Sequence, residues 1–182
     1  NYQTADLVLD DLYLLENLPD EFNNGQALAN GDLDLSENCL LGGSKNLSGN
    51  QRTSYQQWRI SFTDCSDEKG TLNGYIDYEQ SIDGFNTQRI SSGNFTYRYY
   101  DGRSIAVSDY QHSENVAFPD NLHDSSATLL VSNASETGQY TLAYKQPINY
   151  KLFNSGEIGQ IQLSNSNGDE LTVLVDANSS RA

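Results

Sequence analysis

The chain has 182 residues, enough for one domain with a substantial core, and its 25 acidic and 10 basic residues give a formal net charge of −15. Such a charge repels phosphate backbones and anionic lipids within a Debye length of about 8 Å, which argues against nucleic acid and membrane surfaces as partners. Cations, neutral glycans and other proteins stay compatible with it. A hydrophobic fraction of only 36%, together with 12 tyrosines, favours β-strands over helices.

We expect residues 1–30 to form an N-terminal segment, either a helix or an extended strand, that precedes the β-rich part of the chain. Within residues 4–18 the apolar positions recur every three or four residues, Thr4 can cap a helix, and Pro19 ends the pattern. A short amphipathic helix fits this spacing. The leucines also nearly alternate, as they would in an extended strand that pairs with this or another copy of the protein. The residues that this alternative assigns to assembly are Leu7, Leu9, Leu12 and Leu14.

Residues 31–182 contain short alternating runs separated by turn residues, which predict a single β-rich domain. Trp58, Ile60 and Phe62 share one face of a strand, while polar residues occupy the other face. No change in composition marks a second domain. The plausible architectures are an antiparallel meander, a sandwich or a partly closed barrel, preceded by the helix or the donated strand.

Turn residues divide the strands of this domain. Asp83 and Gly84 suit a type I′ turn, and Asp101 with Gly102 predicts a hairpin. Two further strands flank the Asn-Gly turn of residues 165–169. Residues 111–126 lose the alternation and contain both histidines, so we expect a long surface loop there.

Cys39 and Cys65 are the only cysteines, and neither has a histidine nearby in the sequence. This argues against a zinc site or a cysteine nucleophile and favours a disulfide. Closing a loop of about 25 residues would stabilise the fold by roughly 3.5 kcal/mol. A disulfide implies an oxidising compartment, so we expect an extracellular, cell-surface or periplasmic protein. The first residues do not resemble a signal peptide, so an exported chain would have lost its signal before Asn1.

The sequence offers no catalytic constellation. It lacks a G-x-S-x-G motif, and His112 and His123 are the only histidines that could act as a base for a serine nucleophile. Asp77 and Glu79 lie on one face of a strand, about 7 Å apart by strand geometry, as the paired carboxylates of a glycan-active enzyme would. Alternating acids on a wet strand face are routine in an acidic protein. We therefore expect a non-enzymatic protein. The sequence also has no run of 18 apolar residues, so we expect no transmembrane segment in this chain.

Calcium is the cofactor that such an acidic surface could most easily bind, because hard cations prefer several oxygen ligands. Part of the C-terminal turn resembles an EF-hand loop, although Leu163 stands where the first aspartate belongs. The candidate calcium ligands are Asp32, Asp34, Asn165, Asn167 and Asp169.

Surface tyrosines offer a second binding hypothesis, since their rings stack on sugars while their hydroxyls form hydrogen bonds. The candidate ligand-binding residues are Tyr75, Tyr97, Tyr99 and Tyr100. They predict a carbohydrate-binding module as the alternative to a purely structural or interaction role. The same aromatic residues would equally serve to fill a β core.

The cysteines also lie in a pattern that resembles one seen in exported, β-rich bacterial cell-envelope proteins, often lipoproteins. In this chain Cys-Leu-Leu-Gly-Gly occupies residues 39–43, a strand ends in Phe-Thr-Asp-Cys at residues 62–65, and Asn-Gly follows at residues 73–74. The resemblance covers about a fifth of the chain. It implies a location in the cell envelope and no particular activity.

A second resemblance is to pilus subunits that assemble by strand donation, in which an N-terminal alternating strand completes the next subunit. This chain departs from that pattern in its closer cysteine spacing and in residues 178–182, which lack an aromatic strand terminus. Together these features predict an exported protein with a structural or interaction role, and with a protein or a glycan as its partner.

Overall fold

The computed structural model describes residues 31–117, 120–133, 137–149 and 157–176, and these residues form eleven β-strands and no helix. The predicted helix or donated strand within residues 1–30 lies outside the described residues. The strands are β1 (Gly31–Asn38), β2 (Ser44–Gln51), β3 (Tyr55–Ser66), β4 (Gly70–Asp83), β5 (Asn86–Tyr99), β6 (Ser104–Ala117), β7 (Asp120–Ser132), β8 (Thr137–Gln146), β9 (Ile148–Asn149), β10 (Glu157–Asn165) and β11 (Glu170–Asp176).

All eleven strands belong to one antiparallel sheet. Neighbours in sequence are neighbours in the sheet from β1 to β8, followed by β10 and β11, while the short β9 pairs with the start of β7. Strands β1 and β11 stand at opposite ends of this order, so the sheet is an open meander and not a closed barrel. The predicted β class and antiparallel meander are confirmed.

Alternation along the strands gives the sheet an inner face and an outer face. The inner face carries the most deeply buried side chains. In β3 these include Ile60 and Phe62, and Trp58 packs against the same core, so the three residues share one face as predicted. The side chains exposed by less than 2% are Ile60, Ile76, Leu129 and Leu142. The outer face is the opposite one, and Arg59, Tyr75 and Asn94 belong to it.

A flat single sheet could not bury its inner face so completely. One core cluster nevertheless includes Leu47 of β2, Leu142 of β8 and partly buried Ile161 of β10. Sheets of more than about ten strands tend to curl or fold over themselves. We therefore expect this sheet to curl over its inner face, so that the inner faces of its two halves approach each other.

Glycines with positive φ lie in the β4–β5 and β5–β6 hairpin turns. At the predicted Asp101–Gly102 hairpin, Gly102 has a φ of 90°, and the N–H of Tyr99 donates to the carbonyl of Arg103 across the turn at 2.8 Å. Between β4 and β5 the pair Asp83 and Asn86 closes a two-residue turn. Only Gly84 of its two central residues has a positive φ, of 61°. The turn is therefore of type II′, whereas we expected type I′.

The disulfide joins Cys39 to Cys65, whose Cα atoms are 5.3 Å apart. It ties the β1–β2 turn to the end of β3, where two backbone hydrogen bonds support it. The N–H of Leu41 donates to the carbonyl of Ser66, and the N–H of Ser66 donates to the carbonyl of Gly42. The predicted cystine is confirmed, and such a bond is compatible with an oxidising compartment.

The predicted surface loop at residues 111–126 is wrong. Strand β6 continues to Ala117 and β7 begins at Asp120, so most of this segment lies in the sheet. Its alternation was hidden because inward-facing positions such as His112, Glu114 and His123 are polar. A hydrophobic pattern cannot reveal a strand whose inner side chains form a polar cluster.

The part of the chain that the structure describes contains no helix that could cross a membrane.

Candidate functional site

Two β-bulges distort the sheet at residues with left-handed backbone. Asp64 in β3 has a φ of 48° and Asp109 in β6 has a φ of 54°, a region that non-glycine residues rarely occupy. The pairing register shifts between Phe62 and Cys65 at the first bulge. It shifts between Gly93 and Phe95, opposite Asp109, at the second. Strained residues and bulges of this kind often mark functional sites.

An asparagine side chain holds each bulge in place. The N–H of Asp64 donates to Oδ1 of Asn73 at 2.8 Å, and Nδ2 of Asn73 donates back to Oδ1 of Asp64 at 3.0 Å. The N–H of Asp109 donates to Oδ1 of Asn94 at 3.0 Å. These bonds satisfy the backbone donors that the bulges remove from the strand ladder.

A line of polar contacts crosses the outer face from β3 to β6 and ends at the second bulge. Arg59 donates two hydrogen bonds to the Asp77 carboxylate, at 2.6 and 2.7 Å, and its guanidinium lies over the Tyr75 ring, 4.2 Å from the centroid. The bond to Asp77 is the largest cause of a raised pKa of Arg59. Nδ2 of Asn94 then donates to the Tyr75 hydroxyl at 3.0 Å. The Tyr75 ring is therefore held by a cation on its face and by an amide at its hydroxyl.

The asparagines also line an open groove with a volume of about 580 Å³. Strands β4 to β8 line it, and none of its eleven lining residues is charged. Ala106 and Leu130 contribute apolar surface. The polar lining side chains are Asn73, Asn94, Thr96, Ser108, Thr128 and Gln139. Neutral amides and hydroxyls on a partly apolar floor can bind an uncharged, hydroxyl-rich ligand.

The four predicted ligand-binding tyrosines do not share one surface. Tyr97 and Tyr99 lie on the inner face, partly buried against the core, with ring centroids 4.7 Å apart. Tyr100 lies in the β5–β6 turn and is 62% exposed. Only Tyr75 contacts the groove, through Asn94. A binding role for the groove therefore rests on Tyr75 and on the neutral side chains, which the sequence analysis did not select.

The predicted carboxylate pair is on the outer face, as expected. Asp77 pairs in register with Arg59, and Glu79 pairs with Gln57. The carboxylate of Asp77 is engaged by the guanidinium of Arg59 at both oxygens. The arrangement gives no support to a catalytic role for this pair.

The predicted calcium ligands lie at opposite edges of the sheet. Asp32 and Asp34 are on β1, where their carboxylates accept hydrogen bonds from the amides of Asn50 and Asn46. In the β10–β11 turn, Oδ1 of Asn165 accepts the N–H groups of residues 167 and 169. Within the described ranges, no three His, Cys, Asp or Glu side chains are grouped to hold a metal ion. Calcium binding stays a prediction.

The inner face also carries a polar cluster that the sequence did not predict, and we call it the inner polar cluster. It consists of two cross-strand rows. The first row is Gln80, Arg89, Glu114 and His123, and the second is Ser91, His112 and Ser125. Ser91 and Ser125 are buried, with 5% and 7% exposure.

Hydrogen bonds link the members of the inner polar cluster. Arg89 donates to Gln80 at 2.8 Å and to Oε2 of Glu114 at 2.5 Å. Burial alone would lower the pKa of Arg89, but the hydrogen bond and the charge of Glu114, together with Tyr78, outweigh it and the pKa is raised. Nδ1 of His112 lies 2.6 Å from the Ser125 hydroxyl. Two-residue spacing from Tyr110 through His112 to Glu114 was the only sequence signal for this cluster.

Comparisons of the chain with models of known protein families, with curated protein sequences and with solved structures gave no significant match. The resemblances to cell-envelope proteins and to pilus subunits therefore stay untested.

Proposed function

We propose that this protein is an exported, non-enzymatic binding protein of the cell envelope, and that the outer-face groove binds a neutral glycan. The observation that carries the proposal is the absence of charge from the described groove lining, in a chain with 25 acidic and 10 basic residues. Elsewhere the outer face includes charged side chains, such as those of Arg59, Asp77 and Glu79. A charge-free strip of amides and hydroxyls suits a ligand that is itself polar and uncharged.

The dimensions of the groove support this class of ligand. Its volume of about 580 Å³ lies within the range of about 300–1,000 Å³ that is typical of small-molecule sites. The groove is open and crosses several strands, which suits an extended oligosaccharide better than a ligand that must be enclosed. Apolar surface from Ala106 and Leu130 can contact the C–H faces of sugar rings.

The fixed position of Tyr75 also supports glycan binding. Because Arg59 covers one face of its ring, a sugar can stack only on the other face or contact the edge. Asn94 holds the hydroxyl of the ring and, through Asp109, the adjoining bulge. A side chain held in this way loses little conformational entropy when a ligand binds, which favours affinity.

Export is supported by the Cys39–Cys65 disulfide, because such bonds persist in oxidising compartments. An interaction role also includes self-assembly through Leu7, Leu9, Leu12 and Leu14, which lie outside the described residues. Light scattering of the protein with and without residues 1–20 tests that prediction. Polymers that revert to monomers on truncation would support it, and a monomer in both cases would oppose it.

Glycan binding can be tested with a panel of neutral and acidic oligosaccharides, followed by calorimetric titration of any ligand found. We expect neutral glycans to bind, and Tyr75→Ala and Gln139→Ala to weaken that binding at least tenfold. Tyr100→Ala is the matched control, because it removes an exposed tyrosine from a turn, whereas the Tyr75 hydroxyl accepts a hydrogen bond from the groove residue Asn94. Equal losses in Tyr75→Ala and Tyr100→Ala, or a ligand whose affinity changes in neither Tyr75→Ala nor Gln139→Ala, would exclude the groove as the binding site.

A further inference from the structure

The neutral lining of the groove continues across the sheet beyond the groove itself. Because alternate residues of a strand share a face, the strand register aligns outer-face side chains into three rows that run from strand to strand. The first row, within the groove, consists of Thr96, Ala106, Leu130 and Gln139. The second row consists of Ser108, Thr128, Thr141 and Ser164. The third row consists of Gln111, Ser126, Ala143, Gln162 and Thr172.

The second row joins the groove to the surface beyond it. Ser108 and Thr128 line the groove, while Thr141 and Ser164 lie outside its lining, on β8 and β10. Each of these four residues carries a hydroxyl. Since neighbouring strands are about 4.8 Å apart, the row presents hydroxyls at regular intervals over about 14 Å. Thr141 is exposed and Ser164 is half-buried, so both can contact a ligand.

None of the residues in these rows is charged, although acidic residues stand beside them. Asp109 lies at the bulge of β6, between the second and third rows, and Asp124 precedes Ser126 by two residues on β7. At the far end of the second row, Glu170 pairs in register with Ser164. Acidic neighbours of this kind repel glycans that carry carboxylates or sulfates and leave uncharged ones unaffected. The rows therefore favour a neutral ligand, as the groove does.

The chemistry of the rows fits a linear chain of sugars. Hydroxyl and amide side chains can bind sugar hydroxyls, and Ala106, Leu130 and Ala143 offer apolar contacts between them. One pyranose unit of an extended chain is about as long as the distance between neighbouring strands, so successive sugars can contact successive strands. A protein partner would need anchors such as aromatic residues, methionine or arginine, which the rows lack. The expected curl makes the outer face convex across the strands, so a flexible chain follows the rows better than a rigid rod.

We infer that the three rows extend the groove into a track for a flexible, linear, neutral polysaccharide, which crosses the strands from the groove to β10. The inference rests on the proposed function and deepens it, because it assigns the ligand to polymers, whereas a short sugar would occupy the groove alone. Affinity should therefore increase with the length of the sugar chain.

Affinity as a function of chain length provides the test. Neutral glucans, mannans, xylans and galactans are titrated calorimetrically as linear oligosaccharides of two, four and six units. At about 4.8 Å per strand, the path from β4 to β10 is about 24 Å long, so six units reach β10 and two units stay within the groove. For a sugar that binds, we expect the six-unit chain to bind at least tenfold more tightly than the two-unit chain.

Variants on either side of the groove boundary locate the added contacts. Thr141→Val/Ser164→Ala removes the two hydroxyls of the second row beyond the groove, and should lose most of the gain with chain length while keeping the wild-type affinity for two units. Gln162→Ala, in the third row, should show the same pattern. Gln139→Ala, within the groove, should weaken binding at every length. Thr53→Val is the matched control, because Thr53 is an exposed threonine in the β2–β3 turn, outside the rows.

A longer chain also offers more binding positions, which raises its apparent affinity by a small factor without new contacts, but that gain would survive in the variants beyond the groove. Equal affinity at all lengths, or a gain unchanged in both Thr141→Val/Ser164→Ala and Gln162→Ala, would overturn the inference, while a loss in Gln139→Ala would still support binding in the groove. If no chain of any length binds, the proposed function fails, and the polysaccharide track fails with it.

Discussion

The side-chain amide of Asn94 donates to the Tyr75 hydroxyl at 3.0 Å and accepts the N–H of Asp109 at 3.0 Å, so one residue joins the aromatic ring to the bulge. Asn94→Ala removes both bonds and leaves a strained backbone without its support. We expect a loss of about 1 kcal/mol in the free energy of unfolding, measured by urea denaturation.

Asn50→Ala is the control for this variant. The amide of Asn50 donates to the Asp32 side chain on an edge strand and supports no residue of left-handed backbone. We expect a change within about 0.5 kcal/mol, as for most surface substitutions. Equal losses in the two variants would mean that the bulge does not depend on Asn94.

Arg59→Lys tests whether the contact over Tyr75 orients the ring. Lysine keeps the positive charge but loses the bidentate bond to Asp77 and the flat guanidinium above the ring. Because the ion-pair side chains are 49% and 41% exposed, stability should change by only about 0–1 kcal/mol. We expect ligand affinity to fall, as measured by calorimetric titration.

Arg103→Lys is a close match for that experiment, since Arg103 binds Asp101 and lies over Tyr99, 4.4 Å from its centroid. It belongs to the β5–β6 turn and not to the groove lining. An equal loss of affinity in both variants would indicate a general effect of arginine removal.

The sequence was sufficient to predict the antiparallel sheet, the Asp101–Gly102 hairpin and the disulfide, because each depends on local alternation, turn chemistry or cysteine count. It was insufficient for β6 and β7 near His112 and His123, where polar side chains occupy inward positions. The groove was equally hidden. Its residues come from five strands, and only the register between β4 and β5 brings Asn94 beside Tyr75.

Removal of the Cys39–Cys65 bond tests how far the cross-link supports the sheet. The bond spans 26 residues and joins the β1–β2 turn to β3. We expect reduction to lower the free energy of unfolding by about 2–4 kcal/mol, seen as a lower urea midpoint. The Cys39→Ser/Cys65→Ser variant should have the same urea midpoint as the reduced protein, and added reductant should not change it. A midpoint unchanged by reduction would show that the hydrogen bonds of Leu41 and Ser66 suffice.

Asp67 predicts a pH dependence at the β3–β4 turn. Burial alone would raise its pKa, but hydrogen bonds from the Tyr97 hydroxyl and from two backbone N–H groups lower the pKa below the ordinary value of 3.8. A carboxyl whose pKa is lower in the folded state stabilises that state when the pH is above its ordinary, unfolded-state pKa. This contribution is lost as the pH falls through the pKa of the folded state. Asp67→Asn should therefore be less stable at pH 7 and lose less stability between pH 4 and pH 2. Parallel acid-unfolding curves would contradict this.

The curl of the sheet can be tested at Leu142, which is 1% exposed although it lies on a single sheet. If the inner faces pack together, Leu142→Ala leaves a cavity that both halves line, and we expect a loss of about 2–5 kcal/mol in urea denaturation. Leu174→Ala removes the same atoms from a side chain that is 59% exposed, and should cost less than about 1 kcal/mol. A flat sheet would leave both leucines at a water-accessible face, so similar small losses in the two variants would disprove the curl.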